Sequence, residues 1–245
     1  MDKSRSSIYH LPFTIYQLAV NDKANVVAIL LAAGRSSRMG AFKPLLPFGE
    51  RTVVESCISN LVRGGIKKIV VVIGHRAGDV RERLARSPVR FALNLDEESE
   101  MSVSIRRGVE QVPMDAGALM IALVDQPAVP PEVIKLLIDE WKRKRARVVV
   151  PEYEGRGGHP VLIDRSLREE LLRLNSQKGL RGLFDAHRKD VLRVPVASPY
   201  VARDMDTWED YCALYRSVFG LMPPDERAVD KEQANNGQRT TDNEL

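Results

Sequence analysis

Cysteine occurs only twice in 245 residues, as Cys57 and Cys212, and neither sits in a C-x-x-C pair or a Cys/His cluster. That usage excludes a disulfide framework and a structural zinc site; both cysteines lie inside amphipathic helical patterns and read as packing residues. Long apolar runs are also missing. The longest uncharged stretch near the N-terminus, residues 8–20, is interrupted by His10, Pro12, Thr14 and Gln17. It is too short and too broken for a membrane span or a secretory signal, so a cytoplasmic location with no membrane contact is expected. Blocks of one charge are absent as well: 37 Lys and Arg stand against 33 Asp and Glu, a net +4 spread along the chain. Such a balance suits a small anionic ligand and gives little reason to expect nucleic acid. The densest basic run, Lys142-Arg143-Lys144-Arg145, closes a helical pattern and reads as a solvated helix C-terminus.

What is present is an alternation. Apolar, β-branched runs recur at 26–31, 68–73, 89–93, 118–124 and 147–150, separated by helical patterns at about 52–63, 77–86, 101–112 and 131–144. Strands that are apolar without alternation, divided by amphipathic helices, predict an α/β fold: one doubly wound, mostly parallel sheet with helices on both faces. Residues 159–163 predict an inserted or antiparallel strand. Helical patterns near 166–174, 179–187 and 207–218 follow, with a short strand at 191–196. The domain is expected over 26–222, after an N-terminal extension (1–25) and before a polar tail (223–245) whose lack of apolar periodicity predicts disorder. In such sheets ligands sit beyond the carboxyl ends of the strands, which directs attention to the loops.

The first loop lies within AILLAAGRSSRMGAFKPLLPFGE, residues 28–50. Gly34 ends the strand where backbone N–H groups stay free to face an anion, Arg35, Arg38 and Lys43 supply charge, and Gly40 gives the loop room. Together they describe a triphosphate cradle, the alternative being an ordinary turn with surface arginines. A Walker A motif is excluded because Ala41-Phe42 separates Gly40 from Lys43, and a dinucleotide fingerprint because Gly34-Arg35-Ser36 lacks the second glycine. The fourth strand ends in ALVDQPAV, where Asp125 is either a turn or capping residue or a ligand for Mg²⁺, which takes one or two carboxylates plus phosphate oxygens. ARDMDTWEDY (202–211) offers Asp204 and Asp206 before a helix. One of them is expected to cap it, with Glu209 completing a capping box. In NLDEESEMSVSIRRG (94–108) the serines either cap the helix starting there or read a base edge. GRGGHPV (155–161) is a glycine loop in which His159 either meets a ligand or bonds the loop itself. In VIGHRAG (72–78) Gly74 shapes a turn and His75 has no assigned role.

The segment LAAGRSSRMGAFKPLLPFG resembles the signature L-A-A-G-x-x-x-R-M-G-x-x-K-x-L-L of the MobA-like nucleotidyltransferases, and is most similar to their molybdenum cofactor cytidylyltransferase branch. The resemblance runs from about 26 to 218 and implies a nucleotide-diphospho-sugar transferase-like, Rossmann-type fold. It implies that Leu31, Ala32, Ala33, Gly34, Arg38 and Lys43 wrap a nucleoside triphosphate, with Arg35 adding charge. It also implies that Asp125 of D-Q-P binds the metal, with Asp206 a second metal ligand. Asn94, Met101, Ser102, Ser104 and Gly108 match N-P-x-W-x-x-G-M-x-x-S-L-x-x-G, a base and ribose segment, so Asn94, Ser102 and Ser104 are expected to bind the nucleotide. Departures stand at Glu97 for Trp, Glu100 for Gly, Val103 for a third serine, and Trp208 for the proline of D-I-D-T-P-E-D-Y. G-H-P-V, shared with the cytidylyltransferase branch, implies acceptor binding by Gly157, Gly158 and His159.

Assembled, these parts predict nucleotidyl transfer with Arg38, Lys43 and Asp125 as the catalytic residues and Mg²⁺ as the cofactor. The resemblance implies the substrates, CTP and the terminal phosphate of a molybdopterin-type acceptor, and a recipient molybdoenzyme as partner. A guanylyl-transferring relative, a nucleotidyltransferase for another phosphorylated acceptor, and a non-catalytic nucleotide-binding chaperone of a molybdoenzyme are the competing readings.

Overall fold

A computed structural model describes residues 25–96 and 100–225. The expected extension before residue 25, the tail beyond 225 and the departure at Glu97 lie outside the described residues.

The central strand, β1 (Val26–Ala32), is buried along all seven residues. On one side it pairs in parallel with β4 (Lys68–Ile73), which pairs with β5 (Arg90–Leu93). On the other side it pairs in parallel with β6 (Ala118–Leu123). Beyond β6 lie β9 (Val161–Asp164), β7 (Val148–Tyr153) and β10 (Val191–Pro195), giving the order β10-β7-β9-β6-β1-β4-β5, with the short β8 (Arg156–Gly157) attached to β7. β9 runs antiparallel to both β6 and β7, so the strand expected near 159–163 is the antiparallel insertion in an otherwise parallel path. A two-stranded hairpin, β2 (Pro47–Phe48) with β3 (Arg51–Thr52), stands apart from the sheet. Two residues per strand carry no readable periodicity, so the sequence gives no sign of it.

The continuous apolar run of β1 is explained by helices on both faces. Ala28 and Leu30 face the core formed with α1 (Val53–Arg63), α2 (Ala77–Arg83) and α4 (Pro131–Lys144), where Leu137 and Trp141 are buried. Val27, Ile29 and Leu31 face α3 (Met101–Glu110), α5 (Arg168–Leu172) and α6 (Gly179–Ala186) through Ile105, Leu171 and Leu183. Burying a large aliphatic side chain contributes about 1.5–3 kcal/mol, and this double layer is the main source of stability. Cys57 is buried in the first core, and Cys212 packs at the edge of a third. The run 142–145 is exposed at the C-terminal end of α4, as expected. Among the described residues no helix is long and apolar enough to cross a membrane.

That third core positions the site. α7 (Trp208–Phe219) lays Tyr211, Leu214 and Tyr215 against Met39, Ala41, Leu46 and Phe48 of the loop following β1. The Tyr211 hydroxyl donates to the Pro47 carbonyl at 2.6 Å. The chain passes from β1 to β4 and β5 on one side, then returns to β6 on the other. The loops leaving β1 and β6 therefore diverge and open a crevice at the switch point of the sheet.

Candidate active site

The crevice is a cavity of about 310 Å³ lined from three directions: the loop after β1, the segment after β5, and the turn after β6 with Asp206 across from it. In the first loop, Ser36 takes a left-handed backbone (φ 56°) and its hydroxyl accepts the Lys43 backbone N–H at 3.1 Å. Gly40 has φ +70°, a conformation glycine adopts without strain. This folding turns Lys43 inward: its side chain is only 10% exposed, whereas that of Arg38 is 73% exposed at the rim. Leu31, Ala33 and Gly34 line the cavity, while Ala32 is buried in the core and Arg35 is exposed.

Lys43 is the point of convergence. Its Nζ donates to Asp206 Oδ1 at 3.3 Å and lies 3.7 Å from Asp125 Oδ2; Arg38 Nη2 donates to Asp206 Oδ2 at 3.1 Å. A largely buried ammonium is tolerable because carboxylates approach it from two elements. Asp125 lies in the turn after β6 and is not the cap of α4, whose N-cap is Pro130. Burial pushes the Asp125 carboxyl up to about 6; Lys43 opposes the rise, and Asp204 and Asp206 add to it. Its Oδ1 is buried without a hydrogen-bond partner. An orphaned carboxylate oxygen beside a second carboxylate is a donor set that fits a divalent cation, with the remaining positions left to phosphate oxygens and water. Among the described residues no group of three or more His, Cys, Asp or Glu side chains is arranged to hold a metal.

The capping of α7 corrects one sequence expectation. Neither Asp204 nor Asp206 is the cap: Thr207 is, and its capping-box partner is Asp210, not Glu209. Spared that role, the Asp206 side chain faces the cations. The serines of the base segment also differ from the capping alternative. The N-cap of α3 is Glu100, without a side-chain cap bond; Ser104 accepts from Asn94 Nδ2 at 2.8 Å, and the buried Ser102 Oγ has no partner. Asn94 and Ser104 line the cavity together with Asp96 and Met101.

The segment carrying Gly157, Gly158 and His159 is not part of the cavity lining. Gly157 pairs with Glu152 in the short β7–β8 ladder. A Cβ on Gly158 would collide with the Val201 carbonyl, and the His159 N–H donates to that same oxygen at 2.8 Å. Burial holds the His159 imidazole below its usual pKa, against the opposing pull of the Ile121 carbonyl and Asp204. His75 packs edge-on against Phe42 with ring centroids 5.7 Å apart. Sequence reasoning missed Ser36, Ser37 and Asp96 on the cavity wall and Gln126 behind it. Only Gln126 had a signal, its place in D-Q-P.

Residues 28–191 match the family described as the MobA-like NTP transferase domain. Nicotine blue oxidoreductase of Paenarthrobacter nicotinovorans is 33% identical over 154 residues, 58% of this chain and 72% of that protein. Molybdenum cofactor cytidylyltransferase of Escherichia coli strain K12 is 26% identical over 185 residues, 75% of this chain and 92% of that protein. The crystal structure of Rv0371c from Mycobacterium tuberculosis H37Rv superposes with a TM-score of 0.70 at 29% identity, covering 78% of this chain and 98% of that one. The same protein in complex with manganese superposes with a TM-score of 0.66 at 28% identity, again covering 78% and 98%. The match to 28–191 takes in the loop after β1, the segment after β5 and the D-Q-P turn, which line the crevice together with Asp206 beyond it, and the chain belongs to the MobA-like NTP transferase family.

Proposed function

We propose that this protein transfers a cytidylyl group from CTP to the terminal phosphate of a molybdopterin-type acceptor, releasing pyrophosphate. The carrying observation is the buried Lys43 held between Asp125 and Asp206 in a crevice that also presents the Asn94–Ser104 pair. In the reaction an acceptor phosphate oxygen forms a bond to the α-phosphorus, and the bond from that phosphorus to the bridging oxygen of the β-phosphate breaks. Lys43, Arg38 and the loop N–H groups neutralise the β- and γ-phosphates and the departing pyrophosphate, a service of positioning and charge rather than covalent catalysis. Magnesium held by Asp125 and Asp206 supplies Lewis-acid neutralisation when bound. The acceptor monoester is already ionised near neutrality, so no side chain has to take its proton. Ser104, which accepts from Asn94, keeps its hydroxyl proton to donate to a pyrimidine acceptor atom. The G-H-P-V resemblance supports an acceptor-side role for Gly157, Gly158 and His159; since they lie outside the crevice lining, that role in this reading falls beyond the cavity, where Gly157 is exposed.

Support for cytidine and for the pterin comes from the branch motifs and from the Escherichia coli relative, 92% of which is spanned. The test is pyrophosphate release with molybdopterin and Mg²⁺, comparing CTP, GTP, ATP and UTP. Release with CTP alone is expected. Release with GTP alone keeps the mechanism and overturns the base, and release requiring another phosphorylated acceptor overturns the pterin. One relative is named an oxidoreductase, so consumption of an added reductant is followed in parallel. Reductant turnover without pyrophosphate release overturns the proposal.

A further inference from the structure

Asp125 and Asp206 lie on separate elements, yet both reach Lys43 Nζ, at 3.7 and 3.3 Å. Their separation is therefore set by whatever ties the turn after β6 to the segment running into α7. Val124 and Ala128 pack against the cluster that holds Met205, and among the described residues one buried side chain adds hydrogen bonds across the seam. Gln126, only 6% exposed, places its Nε2 amide 2.8 Å from Asp204 Oδ1 and 3.2 Å from the Val201 carbonyl. Both partners are acceptors, so the amide is oriented with its two N–H groups toward them. The Val201 oxygen also receives the His159 N–H, and Gly158 leaves no room there for a side chain, so the anchor point is fixed from behind. Gln126 Oε1 is buried without a partner. An apolar residue of the same length would avoid that unsatisfied oxygen, so packing alone does not explain an amide here.

We infer that Gln126 is a positioning residue: by clamping Val201 and Asp204 beside the Asp125 turn, it sets the gap between the Asp125 and Asp206 carboxylates. The inference rests on the proposed metal role of those two acids. It assigns Asp204 to anchoring the clamp. Loss of Gln126 leaves Asp125, Asp206 and Lys43 chemically intact but lets the two carboxylates drift apart, weakening cation capture without touching phosphate recognition.

The test is Mn²⁺ binding by the full-length protein without nucleotide, read from the loss of the free-ion electron paramagnetic resonance signal. Wild type binds and Asp125→Ala does not; absence of wild-type binding overturns both the metal reading and this inference. Gln126→Leu is expected to weaken Mn²⁺ binding by about 10- to 100-fold, the usual effect of removing a group that orients a ligand. Its affinity for inorganic triphosphate in EDTA is expected to stay at the wild-type value. Asp204→Asn, which retains an acceptor for the amide, is expected to bind Mn²⁺ like wild type, and Asp204→Ala to lose part of the affinity. In an Asp206→Ala background, Gln126→Leu adds no further loss. Unchanged Mn²⁺ affinity in Gln126→Leu while Asp125→Ala fails to bind overturns the inference alone. So does a loss in Asp204→Asn equal to that of Asp204→Ala, which makes Asp204 a ligand, or a fully additive double variant.

Discussion

The loops leaving β1 and β6 stand side by side at one cavity, yet they are held by different means. The loop after β1 closes its backbone turns with its own residues, although its apolar side chains pack under α7: the Met39 N–H donates to the Ser36 carbonyl, the Ser36 hydroxyl accepts the Lys43 N–H, and Gly40 supplies a positive φ. The turn after β6 is held from afar. Asn60 donates to the Pro127 carbonyl at 2.9 Å, Val124 N–H to the Leu31 carbonyl at 3.1 Å, and Gln126 to Val201 and Asp204. A loop whose hydrogen bonds close locally keeps its backbone turn when a distant polar contact is lost. A remotely held turn makes its carboxylate answer to distant substitutions.

The sharpest way to break this comparison is at Asp125 itself. Asp125→Ala is expected to lower pyrophosphate release on the order of 10³-fold, the scale for losing a preorganised electrostatic element, with an unchanged far-ultraviolet circular dichroism spectrum. Wild-type turnover would remove the β6 turn from the chemistry. Lys43→Ala strikes the partner loop and is expected to weaken nucleotide binding by about 1.5–3 kcal/mol in calorimetry, the scale of a charged hydrogen bond. Unchanged affinity would return the first loop to an ordinary turn.

Stability offers the next test. Asp125 is pushed up to about 6 chiefly by burial, with Lys43 opposing and Asp204 and Asp206 reinforcing the rise. The unfolded chain ionises this group near its ordinary value, so between that value and about 6 the folded state holds the extra proton and stability falls as pH rises. Asp125→Asn removes that loss. Denaturant titrations of the metal-free protein are expected to show the variant about 2 kcal/mol more stable than wild type near pH 8, the two converging as pH falls toward about 4. Equal stability throughout would mean the carboxylate is adequately solvated.

Two smaller substitutions separate remote from local holding. Gly158→Ala, which meets the Val201 carbonyl, is expected to cost about 1–3 kcal/mol in urea unfolding and to weaken Mn²⁺ binding through the displaced clamp. Ser36→Ala is expected to cost about 1 kcal/mol and to leave Mn²⁺ affinity unchanged, because its bond closes only its own loop. A Ser36 variant that loses metal affinity would show the two loops to be one cooperative unit.

Legibility in the sequence follows the same division. The parallel strands and their helices announced themselves through unbroken apolar runs and helical spacing, because burial on both faces acts on every residue of β1. Gly34, Arg38 and Lys43 were readable because their spacing is local. What stayed hidden was set by contacts across the fold. The T-x-x-D spacing of Thr207 and Asp210 is a capping signal that competes locally with the one at Asp206 and Glu209, but nothing near Asp206 says that its side chain, left out of the cap, will meet Lys43 and Arg38. Ser102 and Ser104 carried the residue types of a helix cap, but the tertiary partner Asn94 decided the fate of Ser104. The Gln126 bond to Asp204 spans 78 positions, beyond the reach of any periodicity or turn rule.

The clamp of α7 over the first loop has a consequence in time. Lys43 precedes its partner Asp206 by 163 positions, and every strand of the sheet lies between β1 and Pro195. On a ribosome adding about 5–20 residues per second, the lysine therefore emerges roughly ten seconds to half a minute before the second of the two carboxylates that pair with it. During that interval the nascent sheet closes around a loop whose lid has not yet been made, and the cradle is finished by the last helix of the domain.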